Sequence, residues 1–136
     1  MTQNHEQFMQ MALEEARLSE TEGNLPVGSV IVRDGEVIAR GHNLVNSTLD
    51  VTAHAETVAL RNAGPAVGSV EFPGAALYTT LEPCPMCLST IIAAQISTLV
   101  MGGRPTPVSS TWSDYSVEKL LEVSGWTSRL TLVTGI

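Results

Sequence analysis

No basic cluster occurs anywhere in these 136 residues: Arg17, Arg33, Arg40, Arg61, Arg104, Lys119 and Arg129 stand singly against fourteen Asp and Glu, for a formal net charge of -7. An extended nucleic-acid interface leaves a clustered positive footprint, so this pattern disfavours a large RNA or DNA surface while leaving room for a few well-placed arginines. A secretory leader pattern is also missing, since Met1 to Gln10 contains Glu6, no Lys or Arg, and no apolar run. The most apolar stretch, Leu88 to Ile96, is interrupted by Ser89, Thr90 and Gln95 and is far too short to span a bilayer. Together these absences predict a cytoplasmic protein with no membrane partner. Cysteine is scarce, with only Cys84 and Cys87. In a reducing compartment such a close pair binds metal or does redox chemistry more often than it forms a structural disulfide. No internal repeat or low-complexity segment is visible.

What is present reads as one domain over residues 1–136, 43% hydrophobic and 15% charged. Phe8, Met9, Ala12, Leu13 and Ala16 recur at helical spacing, with Glu14 and Glu15 largely outside that stripe. Asn4 and Gln7 resemble a capping box, and Gly23 is a stop. Val27 to Val32 and Glu36 to His42 flank Asp34-Gly35, the signature of a hairpin. A polar connection over Leu44 to Asp50 precedes a helix predicted to start near Asp50 or Thr52 and to end at Gly64-Pro65. Ala75 to Leu81 reads as a buried strand turning at Glu82-Pro83 into a helix through Ile91, Ile92 and Ala94. Ile96 to Met101 is a strand, 102–113 a loop, and a last helix capped by Ser113 or Asp114 leads to a strand at Arg129 to Val133. This alternation predicts a three-layer α/β/α sandwich around a central mixed five-stranded sheet, with helix starts aligned along one sheet edge.

The chemistry concentrates in Thr80 to Cys87 and Thr52 to Glu56. Cys84 and Cys87 are three positions apart at a helix start, a place that favours thiolates and lets both reach one metal. His54 near another helix start supplies a third ligand if the two starts meet. Two thiolates and one imidazole leave the fourth tetrahedral position of Zn2+ open for water, the pattern of a catalytic site, with one Zn2+ per chain. Glu56 stands two residues after His54, placed to act as general acid and base without ligating, although positions two apart diverge by about 200° on a regular helix. Cys-x-x-Cys at a strand-to-helix junction is also the layout of a thioredoxin-like redox pair, and a closed structural zinc would need His5 or His42 as fourth ligand. Asn43 reads as a turn cap, and Trp112, Asp114 and Tyr115 follow a Pro- and Ser-rich loop in which the aromatics are packing anchors or base-stacking groups.

His54-Ala55-Glu56 followed by Pro83-Cys84-Pro85-Met86-Cys87 resembles the general H-x-E and P-C-x-x-C signature of zinc deaminases. With Leu25-Pro26-Val27-Gly28, Gly41-His42-Asn43 and Leu77 to Cys84, the stretch from Leu25 to Gly102 is similar to the cytidine deaminase superfamily. Its nearest branch contains tRNA adenosine deaminases, guanine deaminases and fungal-type cytosine deaminases. That resemblance implies a hydrolase of C–N bonds in cyclic amidines, with Asn43 bonding the base and backbone groups at Ala55, Glu82 and Pro83 meeting it. Trp112 and Asp114 are added as substrate-binding candidates. A guanine- or cytosine-type free base is the expected substrate, because the charge gives tRNA little to hold; tRNA adenosine is the alternative, and an inactive binding subunit a lesser one. The branch also implies a homodimer, with Ile91-Ile92-Ala93-Ala94 as a candidate interface. It further implies a C-terminal helix past the last strand, which the sequence to Ile136 does not include. Gly103 to Ser110 departs from the branch's usual loop.

Overall fold

The first helix begins where a side chain can satisfy its open N–H groups. In the computed structural model, which describes residues 4–105 and 112–136, Asn4 Oδ1 accepts from the N–H of Gln7 at 3.0 Å and caps α1 (His5–Thr21). Phe8, Met9, Ala12 and Ala16 form its buried stripe as the spacing predicts. Glu15 is buried as well, against expectation, because His42 on a later strand reaches it.

Strands β1 (Gly28–Arg33) and β2 (Glu36–His42) form the expected hairpin. Asp34 and Gly35 both take positive φ, 54° and 77°, as a tight turn matching strand twist requires. The polar connection after β2 contains an unexpected short helix, α2 (Val45–Thr48), held by Asn24, whose Oδ1 accepts from the N–H groups of Asn46 and Ser47. Helix α3 runs Ala55–Val67, later at both ends than predicted. Asp50 folds back on the N–H and hydroxyl of Thr52, which makes 50–52 a turn rather than a helix start. Gly64-Pro65 fails to stop the helix because Gly64 has no Cβ to crowd the proline ring; Gly68, with φ 78°, stops it instead.

Strand β3 (Ala76–Leu81) feeds α4 (Pro85–Ala93), β4 (Thr98–Gly103) follows, and α5 (Val117–Ser124) leads to β5 (Thr131–Val133). The cap of α5 is Ser116, which accepts from the N–H of Lys119, so neither Ser113 nor Asp114 serves. The loop expected over 102–113 falls partly on 106–111, outside the described residues. The sheet order is β2-β1-β3-β4-β5, with β1 antiparallel to β2 and β3, and β3, β4 and β5 parallel. This is the mixed five-stranded sheet expected.

Side-chain alternation divides the core into two layers. Val30, Val32, Tyr78 and Val100 pack with α1 on one face. Ile31, Leu77, Leu99 and Met101 pack on the other with residues of α3, α4 and α5. Two glycines allow the close approach: a Cβ at Gly28 would lie 2.0 Å from Ala12 O, and one at Gly41 would lie 2.4 Å from Ala59 N. Ile91 is wholly buried in the core rather than available to an interface. Among the described residues, no helix is long and apolar enough to cross a membrane.

Candidate functional site

His54 and Cys84 are both N-cap residues, of α3 and α4 respectively, each with extended backbone at ψ 162° and 171°. Pro85 at the first helical position of α4 has no N–H to leave unpaired, and Cys87 falls in the same first turn. Two helix starts thus converge from separate strand connections. His54 Nδ1 lies 3.6 Å from Cys84 Sγ and 3.4 Å from Cys87 Sγ. A tetrahedral zinc with bonds of about 2.3 Å to sulfur and about 2.05 Å to nitrogen places those atoms about 3.6 Å apart. The three side chains therefore fit Zn2+, and all three donor atoms lie within 4.8 Å of one another.

The proton affinities agree with a cation site. The hydrogen bond with Cys87, helped by that with His54, lowers Cys84 to about 4 against the opposing effect of burial. The same shared proton, with burial, drives Cys87 upward. A pair of sulfurs competing for one proton beside an imidazole is a set of donors that a divalent cation satisfies together.

Glu56 follows His54 at the second helical position. Because His54 is extended rather than helical, the angular divergence of a regular helix does not separate the two. Glu56 is only 4% exposed, and desolvation pushes its carboxyl up to about 7, its own backbone N–H and the Thr79 hydroxyl pulling the other way. It lines a cleft of about 730 Å³ together with His54 and Cys84. That size is within the usual range of small-ligand sites, about 300–1,000 Å³.

Asn43, Ala55, Glu82, Trp112 and Asp114 also line this cleft, whereas Pro83 does not. Asn43 is 6% exposed; its Oδ1 accepts from the N–H of Val45, so it does cap a turn, while no described residue accepts from its amide nitrogen. Glu82 is engaged within the protein, its N–H with Gly103 O and its carboxylate with the N–H of Val117 and with Arg104. The Pro83 carbonyl accepts from the hydroxyl of Tyr115 at 2.5 Å. These two residues thus tie the strand-to-helix corner to α5. Trp112 is half exposed at the rim. Leu25, Val27 and Arg104 line the cleft without having been assigned roles from sequence. Leu25 and Val27 belong to the Leu25-Pro26-Val27-Gly28 motif, and Arg104 is one scattered cation among seven, so none carries a local signal of a role in the site.

Residues 2–103 match the family described as the cytidine and deoxycytidylate deaminase zinc-binding region. The tRNA-specific adenosine deaminase of Bacillus subtilis (strain 168) is 42% identical over 102 residues, 75% of this chain and 63% of that protein. The match thus spans just under two thirds of that relative's length. The guanine deaminase of the same organism is 39% identical over 114 residues, 83% of this chain and 73% of that protein. A solved structure from work on A-to-I editing by tRNA:A34 deaminases superposes with a TM-score of 0.82 at 35% identity, covering 98% of this chain and 100% of that one. On the strength of a match over most of its length, within which the ligand cage lies, the chain belongs to the cytidine and deoxycytidylate deaminase zinc-binding family.

Proposed function

We propose that the chain is a zinc-dependent hydrolytic deaminase acting on adenosine in a tRNA loop. The observation that carries the substrate is the 42% identity to a tRNA-specific adenosine deaminase, over a stretch that includes the cage. This revises the expectation of a free base drawn from charge. A net charge of -7 argues against a broad phosphate surface, but a base extruded from a loop needs a pocket and few cations. The rim offers the aromatic Trp112, and beside it Arg104, whose guanidinium is paired with Glu118 and Glu82.

His54, Cys84 and Cys87 would hold the metal. When bound by three protein ligands, Zn2+ lowers the pKa of a water at its open position to about 7 and so supplies a nucleophile at neutral pH. Glu56, buried beside the cage, would carry one proton of the attacking water to the adjacent ring nitrogen, then take the hydroxyl proton of the adduct and hand it to the departing amine, so that the two protons of water end on the ring nitrogen and on ammonia. Adenosine and water give inosine and ammonia. The free amide nitrogen of Asn43 orients the base edge, and the first-turn backbone at Ala55 meets it. The backbone carbonyl of Glu82 remains available to the base at the cleft wall, while its carboxylate and the Pro83 carbonyl brace that wall through Val117 and Tyr115.

Guanine deamination is the second reading, favoured by the 39% identity to a guanine deaminase. Ammonia release by zinc-loaded protein is to be measured on a tRNA anticodon stem-loop, adenosine, adenine, guanine and cytosine. Inosine in the stem-loop is expected. Release from guanine alone would move the substrate to the second reading, and release from none would overturn the deaminase reading.

A further inference from the structure

The sheet beneath Glu56 carries two hydroxyls, and strand alternation puts them there. On β1, Val30 and Val32 pack on the α1 face and Ile31 on the α3 face, so Ser29 shares the face of α3. On β3, Tyr78 packs with α1 and Leu77 with the α3 cluster, so Thr79 lies on that same face. Ser29 pairs directly with Thr79 on one side and with Gly41 on the other. A Cβ at Gly41 would lie 2.8 Å from Ala55 O and 2.4 Å from Ala59 N, which sets the first turns of α3 directly over this row. The Thr79 hydroxyl donates to Leu81 O at 3.3 Å, and its influence on the Glu56 carboxyl is to lower its proton affinity, which places the two groups near each other.

Ser29 and Thr79 are both 0% exposed. Among the described residues, Ser29 Oγ is the one buried side-chain polar atom with no hydrogen-bond partner. A hydroxyl removed from water without a partner is unfavourable, and buried polar atoms are normally satisfied by protein or by an internal water that has two to four polar partners. The polar groups next to Ser29 on this face are the Thr79 hydroxyl and, through it, the Glu56 carboxylate. A serine retained here among apolar side chains thus has a function to account for.

We propose that Ser29 is a positioning residue for Glu56: with Thr79 it holds one internal water beneath the carboxylate, so that two strand hydroxyls fix the orientation of the group that moves the proton. The kinetic part rests on the deaminase reading; the placement of the water does not. The test compares Ser29→Ala, Thr79→Val, Thr79→Ser and the double variant S29A/T79V in zinc-loaded full chain, alongside a high-resolution crystal structure of the parent. Loss of a group that orients a reacting side chain typically lowers activity by about ten-fold or more. Ser29→Ala is expected to lower kcat by about ten-fold with KM and zinc content unchanged. Thr79→Ser retains most activity, and the double variant is no worse than Thr79→Val, because both hydroxyls serve one path. The parent crystal shows a water within hydrogen-bond distance of both Ser29 Oγ and Thr79 Oγ1. If Ser29→Ala raises Tm and leaves kcat unchanged, the hydroxyl is only a packing defect and the proposal is wrong. A parent protein inactive on every substrate removes the deaminase reading, and absence of the water removes the positioning role independently.

Discussion

At the scale of single residues, the two cysteines of the cage are legible because local chain geometry sets them, whereas His54 joins them only through the fold. A cysteine that caps a helix and another in that helix's first turn face one point, whatever the rest of the fold does. Glu56 follows from its nearness to His54, and its burial explains why it is not an ordinary surface glutamate. Glu56→Gln keeps the shape and removes the proton carrier; turnover is expected to fall about 10²–10⁴-fold with zinc content unchanged, read by ammonia release and metal analysis of the same sample. Asn43 serves two ends at once, its oxygen on Val45 and its nitrogen toward the cleft. Asn43→Ala should therefore raise KM while also costing about 1 kcal/mol of stability from the lost bond. Unchanged KM with reduced stability would return Asn43 to turn capping alone. Ser29 illustrates what single-sequence reading missed: its place under Glu56 depends on the pairing of β1 with β3, a register that no local pattern reveals.

At the scale of elements, the strand–helix alternation gave the architecture, and the errors lie at boundaries decided by side chains from elsewhere. The start of α5 belongs to Ser116, with Glu82 of the distant corner bonding the N–H of Val117. The contact of α1 with β2 is likewise a long-range one. His42 Nδ1 lies 2.7 Å from Glu15 and Nε2 lies 2.9 Å from Glu22, while Arg40 approaches Glu14 and Glu15 at 3.8 and 4.0 Å. Burial lowers the His42 pKa, but hydrogen bonds and charges of the two glutamates outweigh it and hold it above the ordinary 6.5. This clamp is fully stabilising below about pH 6.5 and weakens as pH rises through the raised value. Comparing chemical denaturation of the parent and His42→Ala across pH 6 to 9 should show the difference between them shrinking with rising pH; a difference independent of pH would mean that packing alone holds the two elements. Gly41→Ala is a second test at this scale. Its methyl would press on backbone atoms of α3 that cannot rotate away, so a cost of about 3 kcal/mol and a lowered Tm are expected.

At the scale of the whole molecule, net charge is a weak guide to the substrate, because an average over the surface does not describe the cleft where a base would enter. A homodimer remains our proposal. A groove of about 700 Å³ between α3 and α4 includes Leu60, Phe72, Met86 and Ala93, with Val70 82% exposed at its edge. Sedimentation analysis should give a dimer mass, reduced towards monomer by Val70→Glu; a monomer at working concentration would rule this out. Zinc removal is expected to lower Tm, since a ligand bound to the folded state alone stabilises it by mass action.

The convergence of two N-cap residues on one point has a consequence for how the chain holds together. His54 and Cys84 are thirty positions apart, so a metal between them acts as a removable crosslink that closes a long loop in any partly opened state. Chelation should then loosen the molecule from one end. Amide protons at 54–57, at Cys84 and at 86–88 should exchange faster, while those pairing β1 with β3 keep their protection.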